Sequence, residues 1–211
     1  MAEHQVLIVP GLHGSGPDHW QTRWEEARVD CERIEQESWD DPDPLGWLMR
    51  IDRAVAKTGK PIVFVAHSLG CLAVAAWSIM ARLNPRRPMA ALLVAPCDPV
   101  QIGANEAIRR FALAAHSRIP LPSTLVASAN DPYASFSRSC TLAREWGSDL
   151  IDAGELGHIN AKSGIDSWRR GQRLLDRTIA SILPNAMTQR IAAPAHRTAV
   201  MPSQQQPFIL H

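Results

Sequence analysis

The sequence predicts an α/β fold, a three-layer α/β/α sandwich around a mostly parallel sheet. Two observations carry this. Short aliphatic or β-branched runs, each closed by Gly, Pro or Asp, alternate along the chain with longer helical patterns, which specifies right-handed crossovers. The runs are also almost continuously hydrophobic, as strands covered on both faces must be. In order, Gln5 to Val9 reads as the first strand and Trp20 to Arg28 as a helix. A weaker extended piece, Cys31 to Gln36, precedes the acidic, proline-containing turn Asp40 to Pro44 and a helix from Pro44 to Lys57. Pro61 to Ala66, Ala90 to Ala95, Thr124 to Ala129 and Asp149 to Asp152 read as further strands. Leu69 to Leu83, Asn105 to Ala115, Phe136 to Trp146 and Gly164 to Leu183 read as helices. The helix at Asn105 lies in the Pro96 to Pro122 segment, which leaves room for a minimal cap.

The organisation is one domain over residues 1–183, large enough to bury a sizeable core, and a tail over 184–211. From Pro184 the chain shows repeated proline, a glutamine run and no acidic residue, a composition predicting a flexible segment. The formal net charge of the 211 residues is only +1, with no basic block. Because nucleic-acid binding draws most of its free energy from neutralised phosphates, nucleic acid is not the expected partner. No stretch approaches the length of a membrane span, and the N-terminus lacks the basic flank of a signal peptide, so no membrane is expected and the localisation read is cytoplasmic. Cys31, Cys71, Cys97 and Cys140 form no C-x-x-C pair and read as reduced thiols. The histidines lack an acidic or thiolate set at ligand spacing, so no metal is expected.

The most informative segment is PIVFVAHSLG, Pro61 to Gly70, which runs directly into an apolar helix. A strand, a sharp turn and a helix is the setting in which G-x-S-x-G makes a nucleophile elbow. Small residues are needed two before and two after the serine, and Ala66 and Gly70 flank Ser68 at those places. A serine needs a base, and the base an orienting acid, following in the chain order Ser, Asp or Glu, His. Among the histidines after Ser68, His116 ends a helical stretch, while His196 and His211 lie in the tail. His158 alone sits in a glycine-rich loop directly after a strand. Asp131, closing the strand before that histidine, is the expected acid, and Asp98, one strand earlier, is its competitor. Two backbone N–H groups should receive the oxyanion. One is that of Leu69, and the other comes from the loop after the first strand, from Leu12 or else His13. His13, Trp20 and His67, near this loop and the serine, are candidate substrate contacts. The glycines of the loop fit neither a dinucleotide fingerprint nor a phosphate loop, and no organic cofactor is expected.

The blocks VLIVPGLHGSGPDHWQTRWE, VFVAHSLGCLAVAAW, LPSTLVASANDPY and LGHINAKSG resemble successive signatures of the small α/β-hydrolases of the retinoblastoma-binding protein 9 and YdeN type. The resemblance covers about Val6 to Leu183. It implies an α/β-hydrolase fold, a serine hydrolase without metal or organic cofactor, and Ser68, Asp131 and His158 on the positions of the family triad. Pro10 stands where many α/β-hydrolases carry the histidine of a His-Gly pair, and a Leu-x-Cys-x-Glu motif is missing, so retinoblastoma binding does not carry over.

The expected function is hydrolysis of a small carboxylic ester, or an amide by the same chemistry, through an acyl-enzyme on Ser68. The expected partner is a small acyl substrate. Two other readings stay open: acyl transfer with the same triad, and a protein-interaction module on a hydrolase scaffold, whose sequence support is the tail with Phe208, Ile209 and Leu210.

Overall fold

A computed structural model describes residues 3–81, 83, 87, 89–101 and 103–191. Its strands are β1 (Gln5–Val9), β2 (Cys31–Arg33), β3 (Ile62–His67), β4 (Met89–Val94), β5 (Ser123–Ala127) and β6 (Asp149–Asp152). Its helices are α1 (Trp20–Ala27), α2 (Pro44–Lys57), α3 (Leu69–Met80), α4 (Glu106–Arg109), α5 (Phe136–Trp146) and α6 (Arg169–Ile191). The strands form one sheet in the order β2-β1-β3-β4-β5-β6, and every neighbouring pair is parallel.

Strand periodicity divides the core into two layers. Successive side chains point to opposite faces of a sheet. Leu7, Val9, Phe64 and Leu93 accordingly join the cluster of Trp47 and Ile51 from α2, Leu72 from α3, and Leu142 and Trp146 from α5. Val6, Ile8, Val65 and Leu92 face the other way, onto Trp20 and Trp24 of α1 and Leu175 and Ile179 of α6. The central strands β3 and β4 are buried at every position, which explains their unbroken hydrophobic runs. The edge strand β6 differs from the buried strand expected for Asp149 to Asp152: none of its residues is fully buried, and its two acidic ends blunt an open edge.

Helix starts follow local chemistry. Asp43 accepts from the Gly46 N–H at 2.7 Å with Pro44 in the first turn of α2, and Ser135 caps α5. Three expectations need correction. The single helix expected over Asn105 to Ala115 is two pieces, α4 and a 3₁₀ turn over Ala112–His116. The break at Phe111 turns its ring into the core against Trp47, at a ring separation of 5.8 Å, while Ala114 offers its carbonyl to Trp146 Nε1 at 2.8 Å. The last helix begins at Arg169, not Gly164, because Gly164, Asp166 and Trp168 all take positive φ and keep the preceding segment as turns. It also continues beyond Leu183 to Ile191, through the proline that was expected to open the tail. Residues 192–211 of the expected tail lie outside the described residues.

The site is positioned by topology. The chain leaves β1 for β2 on one side and then crosses to β3 on the other, so the order reverses between β1 and β3. Loops leaving the carboxyl ends of strands diverge at such a reversal and open a crevice. The loop after β1 and the turn after β3 are the segments that carry Leu12 and Ser68.

Candidate active site

Ser68 occupies the turn between β3 and α3 with φ 54° and ψ −122°, a conformation costly for any residue with a side chain. The surroundings over-determine it. The Ser68 N–H donates to the Val94 carbonyl at 3.0 Å, and the Cys71 N–H to the Ser68 carbonyl at 3.0 Å. A Cβ on Gly70 would meet the carbonyl oxygens of Val9 and Pro10 at 2.3 and 2.6 Å, and one on Gly11 would meet Ser68 Cβ at 2.8 Å. The end of β1 therefore presses directly on the serine turn, which only glycine allows at these two places.

His158 lies in the loop after β6, between Gly157 (φ 58°) and Ile159 (φ 45°). Its Nδ1 is 2.9 and 3.0 Å from the two carboxylate oxygens of Asp131, and its Nε2 is 2.9 Å from Ser68 Oγ. An ionised carboxylate only accepts, so Nδ1 carries the proton and Nε2 is left to accept from the serine hydroxyl. The Asp131 side chain is 2% exposed and that of His158 9%. Asp131 follows β5 and also accepts from the Tyr133 N–H at 2.9 Å, which fixes the carboxylate in its turn. Asp98 is not part of this line: it pairs with Arg138 Nε at 3.1 Å and accepts from the Val100 N–H. Cys97 is buried beside Ser68, and burial pushes its thiol up to about 12, so it stays protonated.

Leu69 is the first residue of α3, where an N–H has no intrahelical acceptor. Among the described residues, the Leu12 N–H has no hydrogen-bond acceptor either, whereas the His13 N–H is already given to the Trp39 carbonyl at 2.8 Å. Of the two alternatives for a second free donor, the geometry leaves Leu12. The His13 ring stands at the surface with Nδ1 2.7 Å from Asp40, its side chain 71% exposed.

Two of the expected substrate contacts are placed elsewhere. Trp20 is 0% exposed and packs among His19, Trp24, His67 and Trp168, with Nε1 donating to the Ile159 carbonyl at 2.8 Å. His67 is 5% exposed, with Nε2 2.9 Å from the His158 carbonyl. Side chains so enclosed cannot line an acyl pocket.

The sequence reading missed several residues that build the site. His19 caps α1 by accepting from the Gln21 N–H, and burial, then Arg33 and His158, lower its pKa to about 4. Gln21 is fully buried and its Nε2 donates to the Val65 carbonyl at 3.0 Å beside the end of β1. Ser128 and Asn130 accept the N–H groups of Leu156 and Gly157 at 2.9 and 2.6 Å, tying the His158 loop to the end of β5. Among the described residues, no group of three His, Cys, Asp or Glu side chains is placed to hold a metal ion, and no helix is long and apolar enough to cross a membrane.

A serine hydroxyl, an imidazole and a buried carboxylate in one hydrogen-bonded line, at the crevice of a parallel sheet, define an α/β-hydrolase arrangement. The serine hydrolase family model matches residues 6–177. A YdeN-like hydrolase from Pectobacterium atrosepticum is 31% identical, covering 85% of this chain and 92% of its own, with a TM-score of 0.74. The chain belongs to the serine hydrolase family and is of the YdeN-like kind. The YdeN protein of B. subtilis (19% identity, 84% and 99% coverage, TM-score 0.66) and the ferulic-acid-bound Est1E of Butyrivibrio proteoclasticus (14%, 85% and 90%, 0.59) share its fold. A comparison with curated proteins finds no match.

Proposed function

We propose that the chain hydrolyses a small carboxylic ester, and amides by the same route, through an acyl-enzyme on Ser68. The observation that carries this reading is the continuous line from Asp131 through His158 to Ser68 Oγ, every link at 2.9–3.0 Å. Ser68 Oγ attacks the substrate carbonyl carbon while its proton passes to His158 Nε2. The charge that develops on the carbonyl oxygen is received by the N–H groups of Leu69 and Leu12, each worth ~3–4 kcal/mol in sites of this type. Collapse expels the leaving group, which takes the proton from His158, and a water then repeats the sequence to free the acid. Asp131 holds the imidazole in the required tautomer throughout.

The structure offers room for a leaving group beside the base. A cleft of about 460 Å³ opens beside His158, lined by Pro132, Tyr133, Leu156, Asn160 and Lys162 among others. The proton donor for the leaving group borders this cleft, whereas Ser68, Leu12 and Leu69 do not, so the leaving group is the part of the substrate assigned to it. The test is a series of acyl esters of increasing chain length with matched amides, assayed with and without an added alcohol. The reading expects acid release from short esters, abolished in Ser68→Ala. Acyl transfer to the alcohol exceeding hydrolysis would replace it with acyl transfer, and no turnover of any member would contradict it.

A further inference from the structure

His158 can act as a base only while its loop keeps Nε2 on Ser68, and that loop is not a relaxed conformation of its sequence. Ile159, a β-branched residue, is held at φ 45° directly after His158. Two hydrogen bonds reach the loop from the core and land on consecutive carbonyls: His67 Nε2 to His158 O at 2.9 Å, and Trp20 Nε1 to Ile159 O at 2.8 Å. Because a carbonyl only accepts, the His67 proton is on Nε2. Burial, then His158 and His19, hold His67 well below the usual histidine range, so the donor stays neutral at working pH. The rings also cluster behind the base: His67 is tilted against His158 at a ring separation of 4.8 Å, and His19 stands edge-on to His67 at 4.8 Å.

We propose that His67 and Trp20 are positioning residues that clamp the base loop through the carbonyls of His158 and Ile159, delivering the imidazole to Ser68 and Asp131 in one orientation. The inference rests on the catalytic reading of Ser68, His158 and Asp131. The hydrogen bonds of both clamp residues go to backbone carbonyls and not to the His158 ring nitrogens or Ser68 Oγ. Loss of a donor leaves a buried carbonyl unpaired, and the loop relaxes to satisfy it. A misplacement of about 1 Å at a reacting group is enough to cost about 10²-fold in rate.

The test compares His67→Phe, which keeps a ring and removes the donor, His67→Gln, which restores an N–H donor, and Trp20→Phe. Turnover of a p-nitrophenyl ester is measured per folded protein, the folded fraction being taken from near-UV circular dichroism. The clamp predicts that His67→Phe lowers kcat by about 10²-fold with KM within about twofold, that His67→Gln recovers most of the loss, and that Trp20→Phe loses about tenfold in the same way. Wild-type kcat in His67→Phe and Trp20→Phe, with Ser68→Ala inactive, overturns the clamp and leaves the hydrolase reading standing. A kcat loss in His67→Phe that His67→Gln does not recover also overturns it, because packing alone would then account for the effect. Should His67→Phe not fold, Trp20→Phe decides: reduced kcat at constant KM supports the clamp, and wild-type kcat overturns it. Ser68→Ala as active as wild type overturns the catalytic reading itself, whatever the clamp variants do.

Discussion

The serine turn and the histidine loop are both strained, and they are held by opposite means. At Ser68 the φ of 54° is enforced by contact: Gly70 and Gly11 let the end of β1 close on the turn so tightly that an added Cβ would overlap backbone or side-chain atoms. Around His158 the glycines have space, with only Ser163 Oγ at 4.0 Å from a Cβ on Gly157. There the loop is fixed by polar contacts from Ser128, Asn130, His67 and Trp20. Steric enforcement is short-ranged and can be written into a few adjacent residues. Hydrogen-bond enforcement draws donors and acceptors from wherever the fold brings them.

The contrast can be broken at either end, and the largest effect belongs to the carboxylate that orients the base. Asp131→Asn should lower kcat by about 10⁴-fold, because the asparagine amide favours the wrong imidazole tautomer. Asp98→Asn should leave kcat within a few-fold but destabilise the fold by about 1–2 kcal/mol, since Arg138 would lose the charge of one of its two carboxylate partners and keep Glu145. Steady-state kinetics and urea unfolding separate the two carboxylates. If Asp98→Asn has the greater effect on kcat, the assignment of the acid is wrong.

At the serine turn, Gly70→Ala should cost about 2–3 kcal/mol or prevent folding, because the methyl group meets two carbonyl oxygens. Gly16→Ala, with nothing within 4 Å, should leave the melting temperature unchanged. Equal melting temperatures for the two variants would show that the turn is not sterically held. At the histidine loop, Asn130→Ala should cost about 0.5–1.5 kcal/mol by removing the solvent-exposed hydrogen bond to the Gly157 N–H, with a fall in kcat as the loop loosens. An unchanged kcat would remove Asn130 from the loop's support.

A further effect is on acid stability. His19 titrates at about 4 in the folded chain and near 6.5 when unfolded. Above 6.5 neither state is protonated and the group is silent. As pH falls from 6.5 towards 4, the unfolded chain takes up a proton that the folded chain refuses, so stability declines over that window; His67, lowered for the same reason of burial, acts in the same direction. His19→Asn, whose side-chain oxygen can still cap α1, should flatten the decline in melting temperature between pH 6.5 and 4. A parallel decline in variant and wild type would exclude His19 as a source.

These two kinds of enforcement also decide what could be read from the amino acids. Ser68 was legible because its strand, small neighbours and helix are contiguous between Pro61 and Gly70. His158 and Asp131 followed from chain order and their positions after strands. The supports of the histidine loop were not legible, since Trp20 lies 139 residues from Ile159 and His67 lies 91 from His158. The same limit explains the misplaced start of α6, where positive φ at Asp166 and Trp168 carries no composition signal, and the broken helix at Phe111, whose turn is dictated by the Trp47 ring it meets.

The central claim is that Ser68 is the nucleophile made available by this turn. The most direct measurement is labelling with a fluorophosphonate probe followed by peptide mapping of the adduct. The account predicts one adduct, on the peptide containing Ser68, absent in Ser68→Ala and greatly slowed in His158→Ala. Equal labelling of wild type and Ser68→Ala would contradict it.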